Sequence, residues 1–307
     1  MSKYVEIRKV YARALDPIHI GEGGYRLGRV DNTIVREPVT DVPKIPGTSI
    51  AGVVRAFTEI AKEEDENKEE KDKKLKNLNI EDVFGTETQK GILRFYDGQI
   101  IFFPVSSIQG TVWITTKELI EYWFGQIEDK DGNKIEIPDE IGNEAYTIKR
   151  IDTGKPLNLG WLLLEVKKVE NEKEVVLPSG MDKWVKRIVL VSEKLFSHIV
   201  NDNLEVRTSV RIDKTTGTAA EGALFTYEAI PKGIVLGFEI GVDKALAEKR
   251  NITTDVGNII TAVSPFIKNL GMGGMGTRGF GRLEMLNIPE NSGKPNNGKG
   301  GETDAQS

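Results

Sequence analysis

IHIGEGGYRLGRVDNTIVREPVTDVPKIPGTSIAGVVRAFTEI, residues 18–60, holds a strand, a glycine turn, a proline stop and a helix in that order. The turn (Gly21, Gly23, Gly24) follows a short apolar strand, and a second extended piece carries Asp31, Arg36 and Glu37. Pro43, Pro46 and Gly47 stop the chain just before Thr48 and Ser49. Beyond them Ile50, Val53, Val54, Phe57 and Ala61 recur with the 3.6-residue period of an amphipathic helix over 48–62. Thr48 or Ser49 is placed to cap it. A helix that starts on Pro-Gly-Thr-Ser presents free N–H groups and the positive end of its dipole, a ready phosphate site. Arg55 lies on the polar face, Lys44 and Arg36 sit upstream, and Asp31 stands in a glycine-flanked loop where backbone can approach a ligand. A capped surface helix, with Asp31 an ordinary turn residue, explains the same pattern.

Upstream, Tyr4 to Arg13 alternates apolar and polar side chains and reads as the first strand. Downstream, KEEDENKEEKDKK carries both charges without apolar periodicity, as a solvated helical extension or mobile insert would. Gly91 to Tyr96 and Gln99 to Val105 read as strands joined in a hairpin at Asp97-Gly98. A third strand (Val112 to Thr115) and a short helix (Lys117 to Phe124) follow. Residues 126–160 are turn-rich, with a hairpin tip at Asp131-Gly132 that lacks the closing glutamate of a calcium loop. Trp161 to Val169 reads as one strand, IVLVS as another, and KLFSHIV as a short helix in which His198 packs. Val206 to Ile212 and Ala223 to Ala229 are the arms of a long hairpin, more apolar than a solvent-exposed tip needs. Ile234 to Val242 is a further strand, and residues 252–270 contain a helix.

The glycine run from Gly271 to Gly276 formally satisfies GxGxxG. The dinucleotide fold needs strand, loop, helix, and here the order is helix, loop, strand (Phe280 to Leu286), so the match is spurious. What remains is a glycine loop beside Arg278 and Arg282, able to lay backbone amides along a phosphate chain. After Pro289 the tail is low-complexity and is expected to be disordered.

Composition narrows the chemistry. The 307 residues, 38% hydrophobic and 29% charged, suit a soluble globular chain with a real core. No run has the length of a membrane span and the start lacks a signal peptide's apolar centre, so cytoplasmic residence follows most easily. The absence of cysteine excludes disulfides, thiolate nucleophiles and Cys-based zinc sites. Two histidines, His19 and His198, exclude a three-histidine zinc site. A net charge of −5 argues weakly against indiscriminate nucleic-acid binding. Strand–helix–strand–strand at the front and strand–helix–strand at the end give an α+β class, with a ferredoxin-like sheet of the RRM kind fitting the order.

Taken together, VDNTIVRE, IPGTSIAGVVR, VFG with GILRFYDGQIIFFPVSSIQGTVWITT, VRIDKTTGTAAEGALF and GMGGMGTRGFGR resemble the RAMP-superfamily backbone subunits of type III CRISPR effectors. FFPV and EGALF favour the Cmr (type III-B) side over the Csm side. The resemblance implies one domain over 1–290, a ferredoxin-like palm with inserted finger segments at 62–80 and 126–200 and a protruding thumb hairpin at 203–231. Copies stack in a helical filament along a crRNA guide, with other effector subunits, and cut complementary target RNA. It implies that guide phosphates pass over Gly47, Thr48 and Ser49, with Arg36, Lys44 and Arg55 nearby, and over Gly273, Gly274 and Arg278, with Arg211 on the hairpin. Asp31, in the VDN position, is the implied catalytic residue and the contact for a weakly bound Mg²⁺ or Mn²⁺ that the substrate helps to hold. His19, Asp97 and Glu228 are supporting candidates. Relatives often carry lysine where this chain has Ala51, which removes one guide contact. Two other readings stand beside this metal-dependent endoribonuclease: a structural guide-binding subunit that does not cut, and a stand-alone nucleotide-binding enzyme.

Overall fold

The computed structural model describes residues 3–23, 30–67, 69, 74–75, 78–169, 175–212, 215–253 and 255–288. The expected disordered tail, 291–307, lies outside the described residues, as do Gly24 and part of the charged run. The chain opens with strand β1 (Val5–Ala14), the short β2 (Lys44–Ile45) and the long helix α1 (Gly47–Glu66). Helix α2 (Ile80–Phe84) precedes β3 (Leu93–Phe95), β4 (Gly98–Ser107), β5 (Gly110–Thr115) and helix α3 (Lys117–Phe124). The middle of the chain forms β6 (Glu128–Asp129), β7 (Ala145–Lys149), β8 (Leu157–Leu159), β9 (Leu162–Leu164), β10 (Val166–Lys168) and β11 (Val175–Val176). Next come β12 (Ile188–Leu190), helix α4 (Glu193–Asp202) and a hairpin of β13 (Glu205–Ile212) and β14 (Ala219–Ala229). Strand β15 (Val235–Asp243), helices α5 (Lys244–Lys249) and α6 (Val256–Leu270), and β16 (Leu283–Met285) complete it.

Among the described residues one large mixed sheet runs β10-β7-β12-β5-β4-β15-β1-β16, with β2 added to β4 and β3 to β15. The β10–β7 and β12–β5 pairs are parallel. Helix α1 leads from β1 towards β3 and β4, and α6 leads from β15 to β16. The apolar stripe of α1 buries Ile50 and Val54, and α6 buries Ile259, Val263 and Ile267, in one core with Phe238 and Ile240 of β15. Phe57 and Phe266 stack between the two helices, centroids 5.6 Å apart. A second core contains Tyr11, Phe102, Trp123 and Ile188. The run Ile100 to Phe103 is buried throughout, as a central strand covered on both faces requires.

Four expectations from the sequence need correction. Asp97-Gly98 is not a hairpin turn. Leu93 and Phe95 pair with Val242 and Ile240, and Gln99 and Phe102 with Gly237 and Val235, so β3 and β4 run in line along one side of β15. Asp97 and Gly98 interrupt that line where β2 joins it, and neither adopts positive φ. Trp161 to Val169 is not one strand: after the turn at Gly160 (φ 65°) β9 pairs back on β8, and past Glu165 the chain leaves that hairpin and β10 pairs with β7 instead. His198 does not pack but is exposed on α4. Finally, neither Thr48 nor Ser49 caps α1, whose N-cap position is Pro46 and makes no side-chain hydrogen bond.

The charged run begins as the tail of α1, yet it is not wholly solvated. Asp65 is buried, and its carboxylate accepts a hydrogen bond from the Leu75 amide (2.8 Å). At the other end of α1, a Cβ on Gly47 would lie 2.3 Å from the Phe95 carbonyl oxygen. Backbone cannot retreat cheaply, so Gly47→Ala is expected to cost about 1–3 kcal/mol, as overpacking does. A lower urea midpoint reads this. A midpoint equal to wild type would show that the helix start has room.

Candidate nucleic-acid interface

Strand β14 carries the site. It pairs with β13 so that Thr226 faces Thr208 and Glu228 faces Val206. On its other edge the VDN segment lies parallel to it, Asn32 opposite Tyr227. The Asn32 amide donates to the Thr226 carbonyl (3.1 Å) and the Glu228 amide to the Asn32 carbonyl (3.0 Å). This docks Asp31 directly against Thr226. Oδ2 of Asp31 accepts from the Thr226 amide (2.8 Å) and hydroxyl (2.9 Å), while the Asp31 amide donates to that hydroxyl (3.0 Å). The Thr226 amide first, and its hydroxyl next, hold the Asp31 carboxyl below its ordinary 3.8. Asp31 is exposed, and its Oδ1 makes no hydrogen bond among the described residues.

Beneath it, a buried pair fixes the segment. Oε1 of Glu228 meets Nη2 of Arg36 at 2.7 Å, and Oε2 accepts from the Ile34 amide at 3.4 Å. Arg36 also donates to the Ile34 carbonyl and to Oδ1 of Asn201, both at 3.1 Å. Its guanidinium is thus engaged inside the fold rather than offered to solvent. Nδ1 of His19 lies 2.7 Å from the Glu228 carbonyl, which only accepts, so Nδ1 carries the proton. His19 is itself buried, edge-on to Tyr227.

The glycine loop closes over His19 from the other side. The Gly274 amide donates to the His19 carbonyl (2.9 Å). A Cβ on Gly273, at φ 88°, would meet Ile20 Cδ1 at 2.5 Å and that carbonyl at 2.8 Å. Close packing therefore requires glycine at 273, and the Gly274 amide is already occupied. Arg278 is exposed, donates from Nη1 to the Tyr227 hydroxyl, and stands 5.9 and 5.7 Å from the Phe225 and Tyr227 ring centroids. It is an exposed cation seated on aromatic rings.

The start of α1 forms a second group. Asp97 Oδ1 accepts from the Gly47 amide (2.8 Å) and Oδ2 pairs with Lys44 (2.7 Å), which also reaches Glu37 (2.9 Å). Burial pushes the Asp97 carboxyl up, but Lys44 and the Gly47 amide outweigh it and hold it below 3.8. Asp97 raises the Lys44 ammonium in turn, with Glu37 second. A carboxylate from the sheet thus occupies the positive helix end that the sequence offers to phosphate. Thr48 is exposed and Ser49 half-buried there. The two groups touch through backbone, since Val35 donates to Ile20 (2.9 Å) and Lys44 to Val35 (3.1 Å). Arg55 belongs to neither: it donates to the Gly85 carbonyl (2.9 Å) and pairs with Glu59, pinning α1 to the end of α2. The Arg211 side chain lies outside the described residues.

A family model described as the RAMP superfamily matches residues 11–284. The chain belongs to the RAMP superfamily. A curated relative, the CRISPR system Cmr endoribonuclease Cmr4 of Pyrococcus furiosus, is 30% identical over 234 residues, which are 71% of this chain and 75% of the relative. A cryo-EM structure of the type III-B Cmr-beta bound to cognate target RNA has a chain that superposes with a TM-score of 0.66 at 15% identity, covering 93% of this chain and 98% of that one. A crystal structure of Cmr4 gives 0.59 at 21% identity, covering 92% and 100%. Crystalline oligomeric Cmr4 from Pyrococcus furiosus gives 0.55 at 19%, covering 93% and 98%. At these identities the structural likeness is one of fold.

In this RAMP chain the groups that matter converge without a metal cage. Among the described residues no three His, Cys, Asp or Glu side chains form a cluster able to hold a metal ion. These residues therefore give a divalent ion no cage of protein ligands, and Asp31 Oδ1 is a carboxylate oxygen left unbonded among the described residues. Thr226, which decides where that oxygen points, was not singled out by the sequence, because a threonine in a strand is unremarkable. Thr226→Val keeps the ladder and removes the hydroxyl. The Asp31 carboxyl is then expected to titrate closer to 3.8, with the outer oxygen less well aimed. An NMR titration of the Asp31 carboxyl carbon checks this, and an unchanged titration would remove the hydroxyl from the account.

Proposed function

We propose that this RAMP-superfamily chain is a backbone subunit of a type III-B CRISPR effector that lines up along a guide RNA and cuts paired target RNA through Asp31. One observation carries the reading: the exposed Asp31 carboxylate lies against strand β14 of the β13–β14 hairpin, anchored at Oδ2 by Thr226 and unbonded at Oδ1 among the described residues. The order β16-β1-β15-β4, with α1 and α6 as its two connections, supports a ferredoxin-like palm, and β13–β14 its thumb. The name of the Pyrococcus furiosus relative supports RNA cutting in the family.

The reaction proposed is in-line attack of a ribose 2′-OH on the neighbouring phosphorus. The 2′-oxygen gives up its proton to solvent hydroxide and bonds to phosphorus while the bond to the 5′-oxygen breaks. The products are a 2′,3′-cyclic phosphate and a 5′-hydroxyl, the leaving oxygen taking a proton from solvent. A nucleotide splayed beside the hairpin would bring attacking and leaving oxygens into line. Asp31 Oδ1 accepts the hydrogen bond of the 2′-OH and steadies it as its proton departs. When bound, a divalent ion would spread negative charge from the phosphate; Asp31 Oδ1 is the protein atom that would touch it. Arg278 supplies positive charge to the backbone. Lys44, Gly47, Thr48 and Ser49 give a phosphate a resting place if it displaces Asp97, and Gly273 and Gly274 let a strand pass close. His19 and Glu228 position the segment rather than react.

Because hydrogen bonds from Thr226 hold its carboxyl below the ordinary range, Asp31 is ionised throughout the neutral range. Cutting between pH 6 and 8 is therefore expected to rise with pH through the 2′-OH alone, near tenfold per unit. A plateau from an acidic group in that window, lost in Asp31→Asn, would contradict this. The reading as a whole is tested by cutting in a guide-loaded assembly of the Asp31→Asn variant.

A further inference from the structure

Trp161, at the turn between β8 and β9, leaves 96% of its surface in solvent. Ile108, in the β4–β5 turn, is 80% exposed and Leu163 66%. The two turns are tied together: the Ile108 amide donates to Asn158 Oδ1 (2.7 Å) and the Gly160 amide to the Ser106 carbonyl (3.5 Å). A Cβ on Gly160 would strike the Asn203 side chain at 2.8 Å, so this end is also seated on the close of α4. The result is a fixed apolar knob. Lys155, just before β8, and Arg187, whose Nη1 reaches the turn at Gly110, flank it without an ion pair among the described residues.

At the far end of β4 and α4 a cleft of about 730 Å³ opens, within the roughly 300–1,000 Å³ range that takes a large inserted group. Pro43, Ile100, Leu119 and Phe196 give it an apolar floor and Glu118, Glu121 and Glu193 an acidic rim, and its wall includes Lys44 and Asp97 from the group at the start of α1. Burial, and then a hydrogen bond with Glu118, push the Glu193 carboxyl up. Neither Glu118 nor Glu193 has a cationic partner among the described residues. Ten residues of β4 separate knob from cleft, roughly 30 Å at about 3.3 Å per residue.

We propose that the Trp161 knob of one copy of this chain enters the acidic cleft of the next, making a head-to-tail contact. The inference rests on the filament reading above and names its surface. Apolar knob meets apolar floor, the indole N–H and the flanking cations meet carboxylates, and both halves lie on every copy. A contact between two different surfaces of the same chain does not close on itself in pairs and builds an open helical array. A protruding tryptophan is also the residue type that most often dominates such contacts.

Sedimentation velocity of the full chain tests this. The wild type is expected to associate, and Trp161→Ala and Glu118→Lys/Glu193→Lys to associate at least about tenfold more weakly. Mixed together, the two variants regain one sound junction, knob from the second and cleft from the first. They should form a species of twice the 34.1 kDa of one chain, which also shows that both are folded. A monomeric wild type, a Trp161→Ala chain that associates like wild type, or a mixture with no dimer overturns the proposal. Guide-RNA binding by the same samples reads the function separately. Its absence in the wild type would sink the effector reading while the junction stood, and unchanged sedimentation of Trp161→Ala with RNA bound would do the reverse.

Discussion

Guide-loaded assemblies carrying Asp31→Asn are expected to bind guide and target RNA as wild type does and to cut the target about 10²–10⁴-fold more slowly. The geometry makes the substitution clean. Asparagine's carbonyl can still accept from the Thr226 amide and hydroxyl, so the segment stays docked on β14. The atom turned outward then becomes an amide nitrogen, a donor where the 2′-OH needs an acceptor. Exposure of the site means that little stability is at stake. The measurement is single-turnover cutting of a labelled target, with binding followed on the same sample. Equal loss of binding and cutting would mean that Asp31 serves assembly, and unimpaired cutting at every interval would remove it from the chemistry.

Glu228→Ala should be the most damaging single change to stability near the site. It leaves the Arg36 guanidinium, 18% exposed, without its 2.7 Å partner, and the Ile34 amide without an acceptor. Breaking a buried ion pair from one side costs about 3–5 kcal/mol. We expect about 3, the lower end, because Arg36 retains Asn201 and the Ile34 carbonyl as acceptors. Arg36→Met strands the carboxylate instead and should cost about as much. The double substitution should cost clearly less than the two added, since the second change removes the charge the first exposed. Urea unfolding of the three variants reads this, and strict additivity would show that the pair does not interact. Cutting should fall with Glu228→Ala as well, because Asn32 and Asp31 rest on the strand that this pair clamps.

Much of this layout is visible in the sequence, for identifiable reasons. Ile50, Val54 and Ala61 announce α1 because burial on a helix repeats every 3.6 residues. Ile100 to Phe103 announces a central strand because both of its faces are covered. The arms of the hairpin are legible by their β-branched and aromatic content, whereas Asp31 among its glycines reads locally as a turn residue and is singled out only by the resemblance of VDNTIVRE to the family. Illegible were the features that depend on what lies across the fold. Asp97-Gly98 carries the same local signal whether the chain reverses or merely steps, and β15, far along the chain, decides for the step. That same partner frees Asp97 to cap α1, which no reading of Thr48 and Ser49 could reveal. Gly160 was a usable sign of the turn before β9, but nothing local marks the break at Glu165, where β9 ends on β8 and β10 goes to β7. Arg36 looked like a phosphate ligand because nothing local shows Glu228 waiting beneath it.

The most direct test of the central claim replaces a single ribose in the target by its 2′-deoxy form, at one expected cut, in the wild-type assembly. If Asp31 promotes attack by the 2′-OH, that one cut disappears, its neighbours persist, and every remaining product ends in a 2′,3′-cyclic phosphate facing a 5′-hydroxyl. Continued cutting at the deoxy position, or products with a 5′-phosphate, would mean that water attacks instead and that the account of this site is wrong.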